Sequence, residues 1–311
     1  MKKLCLFILT LSLLFSSCSK NKTNMRDKKA SRFKQVGETT PDFSSEKFKA
    51  FEKEDWKVNF TERTIDKYDE VNLSVIDVYP KDNGFILVSE SKNGEIVYSK
   101  VTGDNLDISK AAENEVIDDF VINNLNDNDE LWGYQKFQNY YLIIKNHQTY
   151  IYKDGKLLSQ IKGIGKIADI DNDGQIELVC NVDEKKLIIY RLKANNAVKL
   201  WEFTSNDISF NGNIQIADFN GDGVKEIYAG DVIQNMRKFV LTNKGFYEDK
   251  SLPVKYGEKQ AGNYYFVDYN KDGKMDIIVT LKDVKPKLFI QKNEKQPATT
   301  SRKSTDFKKL F

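Results

Sequence analysis

An acidic, glycine-containing loop occurs three times in this chain at nearly equal spacing. The copies are IADIDNDGQIELVC (167–180), IADFNGDGVKEIYAG (216–230) and FVDYNKDGKMDIIVT (266–280). Their first carboxylates, Asp169, Asp218 and Asp268, are 49 and 50 residues apart. Polar oxygens stand at positions 1, 3 and 5: Asp169, Asp171 and Asp173; Asp218, Asn220 and Asp222; Asp268, Asn270 and Asp272. Position 6 is glycine (Gly174, Gly223, Gly273) and position 9 is an acid (Glu177, Glu226, Asp276). A β-like apolar run follows each copy. A motif repeated at such a period implies an array or propeller of equivalent units.

The spacing suits a hard cation. Calcium takes roughly six to eight oxygen ligands, and side chains at 1, 3 and 5 of a tight loop can converge on one point. Glycine at 6 allows φ > 0 without a Cβ penalty. The carbonyls of Gln175, Val224 and Lys274 at position 7 are then expected to face inward, and the acid at 9 closes the shell. An EF-hand would carry its acid at position 12 between helices. Here position 12 is Cys180, Ala229 and Val279, and the flanks read as strands.

These three segments resemble FG-GAP/VCBS repeats, the blade units of integrin-α-type β-propellers, although the literal Phe-Gly start is missing. The resemblance implies an all-β propeller of four-stranded antiparallel blades with calcium in the loops. The residues around Asp218 parse accordingly into strands at 214–218, 226–231, 237–242 and 245–252. In the Asp169 period, LIIYRL (187–192) and VKLWEF (198–203) supply the outer strands. Weaker copies are expected upstream at Asn124, Asn126 and Asn128, as a degenerate loop without tight calcium, and at Asp77. Their spacings of 47 (Asp77 to Asn124) and 45 (Asn124 to Asp169) extend the series to five periods. Five blades are expected, or six or seven if further strands go unrecognised. The last period loses its outer strand after KLFIQK (287–292), so the early segment WKVNFTERTI (56–65) is the candidate to close the ring.

The ends read differently. Residues 1–17 have the pattern of a secretory signal, with Lys2 and Lys3 before the apolar run Leu4 to Phe15. Phe15-Ser16-Ser17-Cys18 resembles a bacterial lipobox, which implies lipidation of Cys18, and Ser19 resembles the pattern for outer-membrane sorting. The protein is therefore expected to be exported and anchored by lipid at the bacterial cell envelope. Residues 18–45 are basic and poor in apolar groups, as in a disordered tether. The propeller is expected over 46–293 and a loose polar tail over 294–311. Cys180 is then the one cysteine left beyond Cys18, so no disulfide framework forms. It is expected to be a buried filler.

The formal net charge is +2, and about zero without Lys2 and Lys3, which argues against nucleic-acid binding. The single histidine, His147, lies in a β-run and leaves no usual zinc triad. No nucleophile elbow, Walker loop or dinucleotide loop is present. Most aromatics, Trp56, Trp132 and Trp201 among them, are expected to pack between blades. The leading expectation is a binding or scaffold module with a protein or carbohydrate ligand. The alternative is a secreted hydrolase or lyase acting on carbohydrate from a propeller active site.

Overall fold

The computed structural model describes residues 60–292, apart from 82–83, 194–195, 220–221, 243–244, 250 and 255–260. The signal, Cys18, the tether, Trp56, Asn220 and the polar tail lie outside the described residues.

The strands are short and antiparallel. β1 (Phe60–Thr64) comes first. Blade 1 holds β2 (Leu73–Lys81), β3 (Gly84–Ser91), β4 (Ile96–Thr102) and β5 (Asp107–Lys110). Blade 2 holds β6 (Leu131–Phe137), β7 (Tyr140–Lys145), β8 (Gln148–Lys153) and β9 (Lys156–Lys162). Blade 3 holds β10 (Ile164–Ala168), β11 (Ile176–Asp183), β12 (Lys186–Leu192) and β13 (Ala197–Thr204). Blade 4 holds β14 (Phe210–Ala217), β15 (Glu226–Asp231), β16 (Met236–Thr242) and β17 (Gly245–Asp249). Blade 5 holds β18 (Asn263–Val267), β19 (Asp276–Leu281) and β20 (Val284–Gln291), and its fourth strand is β1. Phe60 to Thr64 pair with Gln291 to Lys287, so the early segment closes the ring as expected. The molecule is a five-bladed propeller.

The second strand of each blade is a continuous apolar run, Phe85-Ile86-Leu87-Val88 in β3 and Ile277-Ile278-Val279 in β19. Successive side chains of a strand point to opposite faces, and here both faces are buried. Phe85 and Leu87 pack toward blade 5, with Tyr265, Ile278 and Leu288. Ile86 and Val88 pack toward blade 2, with Leu131 and Ile143. Comparable clusters fill the other three junctions, between blades 2 and 3, 3 and 4, and 4 and 5. Trp201 is buried at the junction of blades 3 and 4, as expected. Cys180 is fully buried among apolar neighbours, and burial pushes its thiol up to about 12.

Two upstream expectations are corrected. Asn124 does not begin a metal loop. It caps a short helix, α1 (Asp119–Asn123), whose N-cap Asp118 accepts from the Phe120 N–H at 2.9 Å. Val116, Ile117, Val121 and Leu125 of this segment pack into the junction of blades 1 and 2. Asn126 donates from its backbone N–H to Asp129, and Lys145 pairs with the same carboxylate at 2.7 Å. Asp77 lies inside β2, opposite Val88. In blade 2 the first hairpin turns over two residues, 138–139, and in blade 1 β2 ends at Lys81 and β3 begins at Gly84, so neither leaves room for a nine-residue acidic loop. The period counted blades correctly but was anchored on the wrong residues in those two.

Candidate metal centres

Each complete acidic loop joins the first and second strands of its blade: β10 to β11, β14 to β15 and β18 to β19. The three are built alike. The position-1 carboxylate accepts the glycine N–H: Gly174 to Asp169 at 3.0 Å, Gly223 to Asp218 at 2.9 Å and Gly273 to Asp268 at 3.1 Å. The position-5 carboxylate accepts the position-7 N–H, from Gln175, Val224 and Lys274 at 2.8, 2.8 and 3.0 Å. The glycines hold φ of 83°, 88° and 82°. Asn172 and Lys271 at position 4 are left-handed too, at 57° each.

The acid at position 9 starts the next strand and reaches back. Glu177 accepts from the Ile170 N–H at 3.0 Å, Glu226 from Phe219 at 3.1 Å and Asp276 from Tyr269 at 2.9 Å. Those donors are the position-2 residues, and all three side chains are buried. This apolar anchor was missed at the level of sequence. Its signal was visible at position 2, where an apolar or aromatic residue (Ile170, Phe219, Tyr269) stands between the polar residues at positions 1 and 3 in every copy.

Two loops bring three carboxylates together, with one oxygen from each lying within 4.8 Å of the others. They are Asp169, Asp171 and Glu177, and Asp218, Asp222 and Glu226. Among the described residues the third loop does not reach this convergence. Its position-9 acid is aspartate, one methylene shorter than glutamate, and the second oxygen of Asp276 is taken by the Gln291 N–H at 2.8 Å.

The donor set is all oxygen, as a hard cation requires. Asp171 Oδ1 is buried and accepts no hydrogen bond among the described residues, as suits an oxygen that would bind a cation. The electrostatics agree. Burial, with Asp173 close by, raises Asp171 above the usual carboxylate range. Burial pushes Glu177 up to about 7 and Asp276 up to about 6, and raises Glu226 strongly. Burial disfavours the charged form of these acids more than the nearby cations, Arg191 beside Glu177 and Lys238 near Glu226, favour it.

The loops differ in one respect. Arg191 of β12 enters the first, 2.7 Å from Glu177, 3.5 Å from Asp171 and 3.6 Å from Asp173. Loops one and two are also tied together: Lys225 donates its N–H to the Ile170 carbonyl at 2.7 Å and its ammonium to the Asp169 carbonyl at 2.6 Å. His147 lies elsewhere, in the β7–β8 turn with φ of 59°, its ring 3.7 Å from that of Trp132.

The family model for the FG-GAP-like repeat matches residues 169–229. No curated protein matches the chain in sequence. Among solved structures, exo-β-1,3-galactanase from Phanerochaete chrysosporium is similar at 10% identity and a TM-score of 0.38, covering 68% of this chain and 58% of that one. The WD40 domain of SCAP from fission yeast is similar at 10% identity and a TM-score of 0.31, covering 71% and 52%. This chain spans less than two thirds of either, and neither likeness bears on what it does. The matched repeat runs from the first acidic loop to β15, so the chain is a five-bladed β-propeller carrying an FG-GAP-like repeat across the junction of blades 3 and 4.

Proposed function

We propose that the protein is a calcium-stabilised binding or scaffold module, held by lipid on Cys18 at the bacterial cell envelope, at the outer membrane in the sorting sense of Ser19. The observation that carries the calcium reading is the convergence of three carboxylates in each of two loops, with Asp171 Oδ1 buried and without a hydrogen-bond partner among the described residues. Asp169, Asp171, Asp173 and Glu177 would hold one ion, and Asp218, Asp222 and Glu226 another. Asp268, Asp272 and Asp276 form a third, more open site. The ion supplies positive charge where clustered acids repel. The lipid anchor is supported by the lipobox-like residues 15–18. Binding is favoured over catalysis because the best-placed acids belong to these loops and the one histidine packs in a turn on Trp132. The ligand is expected to be an envelope protein or a glycan.

Calcium titration with thermal melting tests this reading. With a dissociation constant of roughly 0.1 mM, typical of extracellular modules, about 1 mM calcium adds about 1.4 kcal/mol per site. EDTA should therefore lower the melting temperature by several degrees. The Asp218→Asn, Asp222→Asn double variant should melt lower in calcium and respond less to EDTA. A melting temperature unmoved by chelation would leave the loops as plain turns. Separately, Cys18→Ala should release the protein from the membrane fraction; a variant that still pellets with membrane would overturn the anchor.

A further inference from the structure

The first strands β6, β10, β14, β18 and β2 neighbour one another around the axis. They enclose a cavity of about 240 Å³ that all five line. Its lining runs from the starts of these strands, at Trp132 in β6 and Ile164 in β10, to Gln135 in β6 and Gln215 in β14. The acidic loops leave from the opposite ends. The cavity is therefore separate from the candidate metal centres.

Its chemistry is not that of a closed core. Gln135 clamps the next blade, donating to the Ile167 carbonyl at 2.9 Å and accepting the Ile167 N–H at 2.8 Å. Asn213 donates to the Tyr264 carbonyl at 3.1 Å, and Gln215 donates to Asn213 at 3.0 Å while accepting the Phe266 N–H at 3.3 Å. These bonds fix the three amides, which line the cavity. An amide has two N–H donors, and these bonds use one of each pair. Trp132 adds apolar ring surface to the lining, beside its contact with the His147 ring 3.7 Å away. Asp77 and Lys166 place one charge of each sign on the wall, so the site selects no net charge.

We propose that this axial cavity binds a neutral, polyhydroxylated small molecule of single-sugar size, or the end of a chain of such units. Hydroxyl groups both donate and accept, which matches amides, a carboxylate and an ammonium together. The C–H face of a sugar ring suits the face of Trp132. Pockets for drug-sized ligands are roughly 300–1,000 Å³, so this smaller cavity suits one ring. The proposal rests on the reading of the chain as a binding module and gives it a ligand class; it does not depend on calcium.

The test is titration of the full chain with free galactose, glucose, mannose and N-acetylglucosamine, with glucuronate as the charged control. Saturation-transfer NMR and tryptophan fluorescence report binding, and the calcium-induced melting shift is recorded on the same sample. At least one neutral sugar should saturate in the millimolar range. Trp132→Phe, which trims the ring surface of the lining, and Asp77→Asn, which removes its carboxylate, should each weaken binding about tenfold, with parental melting temperatures confirming the fold. No saturable response, an undiminished response in both variants, or a preference for glucuronate would overturn the proposal and leave the cavity to water. A retained calcium shift alongside any of these outcomes would show that the metal reading stands on its own.

Discussion

Arg191 shows how one side chain makes two equivalent loops unequal. Its guanidinium sits among Asp171, Asp173 and Glu177, and it is as buried as they are. Removing one partner of a buried ion pair costs about 3–5 kcal/mol, because the remaining charges stay buried without compensation. Arg191→Met should therefore destabilise the metal-free protein by about that amount. Calcium should recover much of the loss, since a divalent ion restores the missing charge. Melting with and without EDTA should show a larger calcium shift in the variant than in the parent. Equal shifts would mean that Arg191 and the ion do not share the loop's charge.

At the scale of the element, the acidic loop is a hairpin turn whose geometry precedes any ion. Nothing lies within 4 Å of where a Cβ on Gly223 would stand. The glycine is required for its φ of 88°, not for space. Gly223→Ala should cost about 1–2 kcal/mol, the penalty of a left-handed L-residue. Gly223→Asn should cost less, because asparagine tolerates that region. Chemical denaturation measures both, and an alanine variant as stable as the parent would show that the turn adopts another conformation. The same elements decided where the motif could not be. A two-residue turn between β6 and β7 has no room for five ligands.

The whole molecule depends on a strand contributed from far away in sequence. β1 pairs with β20, and Phe60 packs edge-on to Phe219 and Phe289 with ring centroids 6.3 and 6.4 Å away. Glu62 meets Lys287 at 2.6 Å. Deleting the chain through Asp66 would open the β20 edge and strip the junction of blades 4 and 5. Loss of one such aromatic alone costs about 3 kcal/mol or more, so the melting temperature should fall by about 5–10 °C. The bare edge should also promote association, visible by size-exclusion chromatography with light scattering. An unchanged, monomeric protein would place ring closure elsewhere.

What the residues determined by themselves was local. The alternation of acids and glycine in 169–177, 218–226 and 268–276 specified a turn, because φ > 0 and the side-chain acceptors act within nine residues. The apolar runs after each loop specified strands buried on both faces, and their period specified the number of blades. Tertiary structure decided the rest, because it concerns atoms brought together from distant segments. Arg191 reaches the first loop from another strand. Asp276 turns to the Gln291 N–H and leaves the third loop more open. Asn124 enters a helix because the junction of blades 1 and 2 has an apolar gap for Val121 and Leu125 to fill. The axial cavity is assembled from five strands spread over nearly 200 residues, each contributing only a few side chains, so no single stretch of sequence contains it.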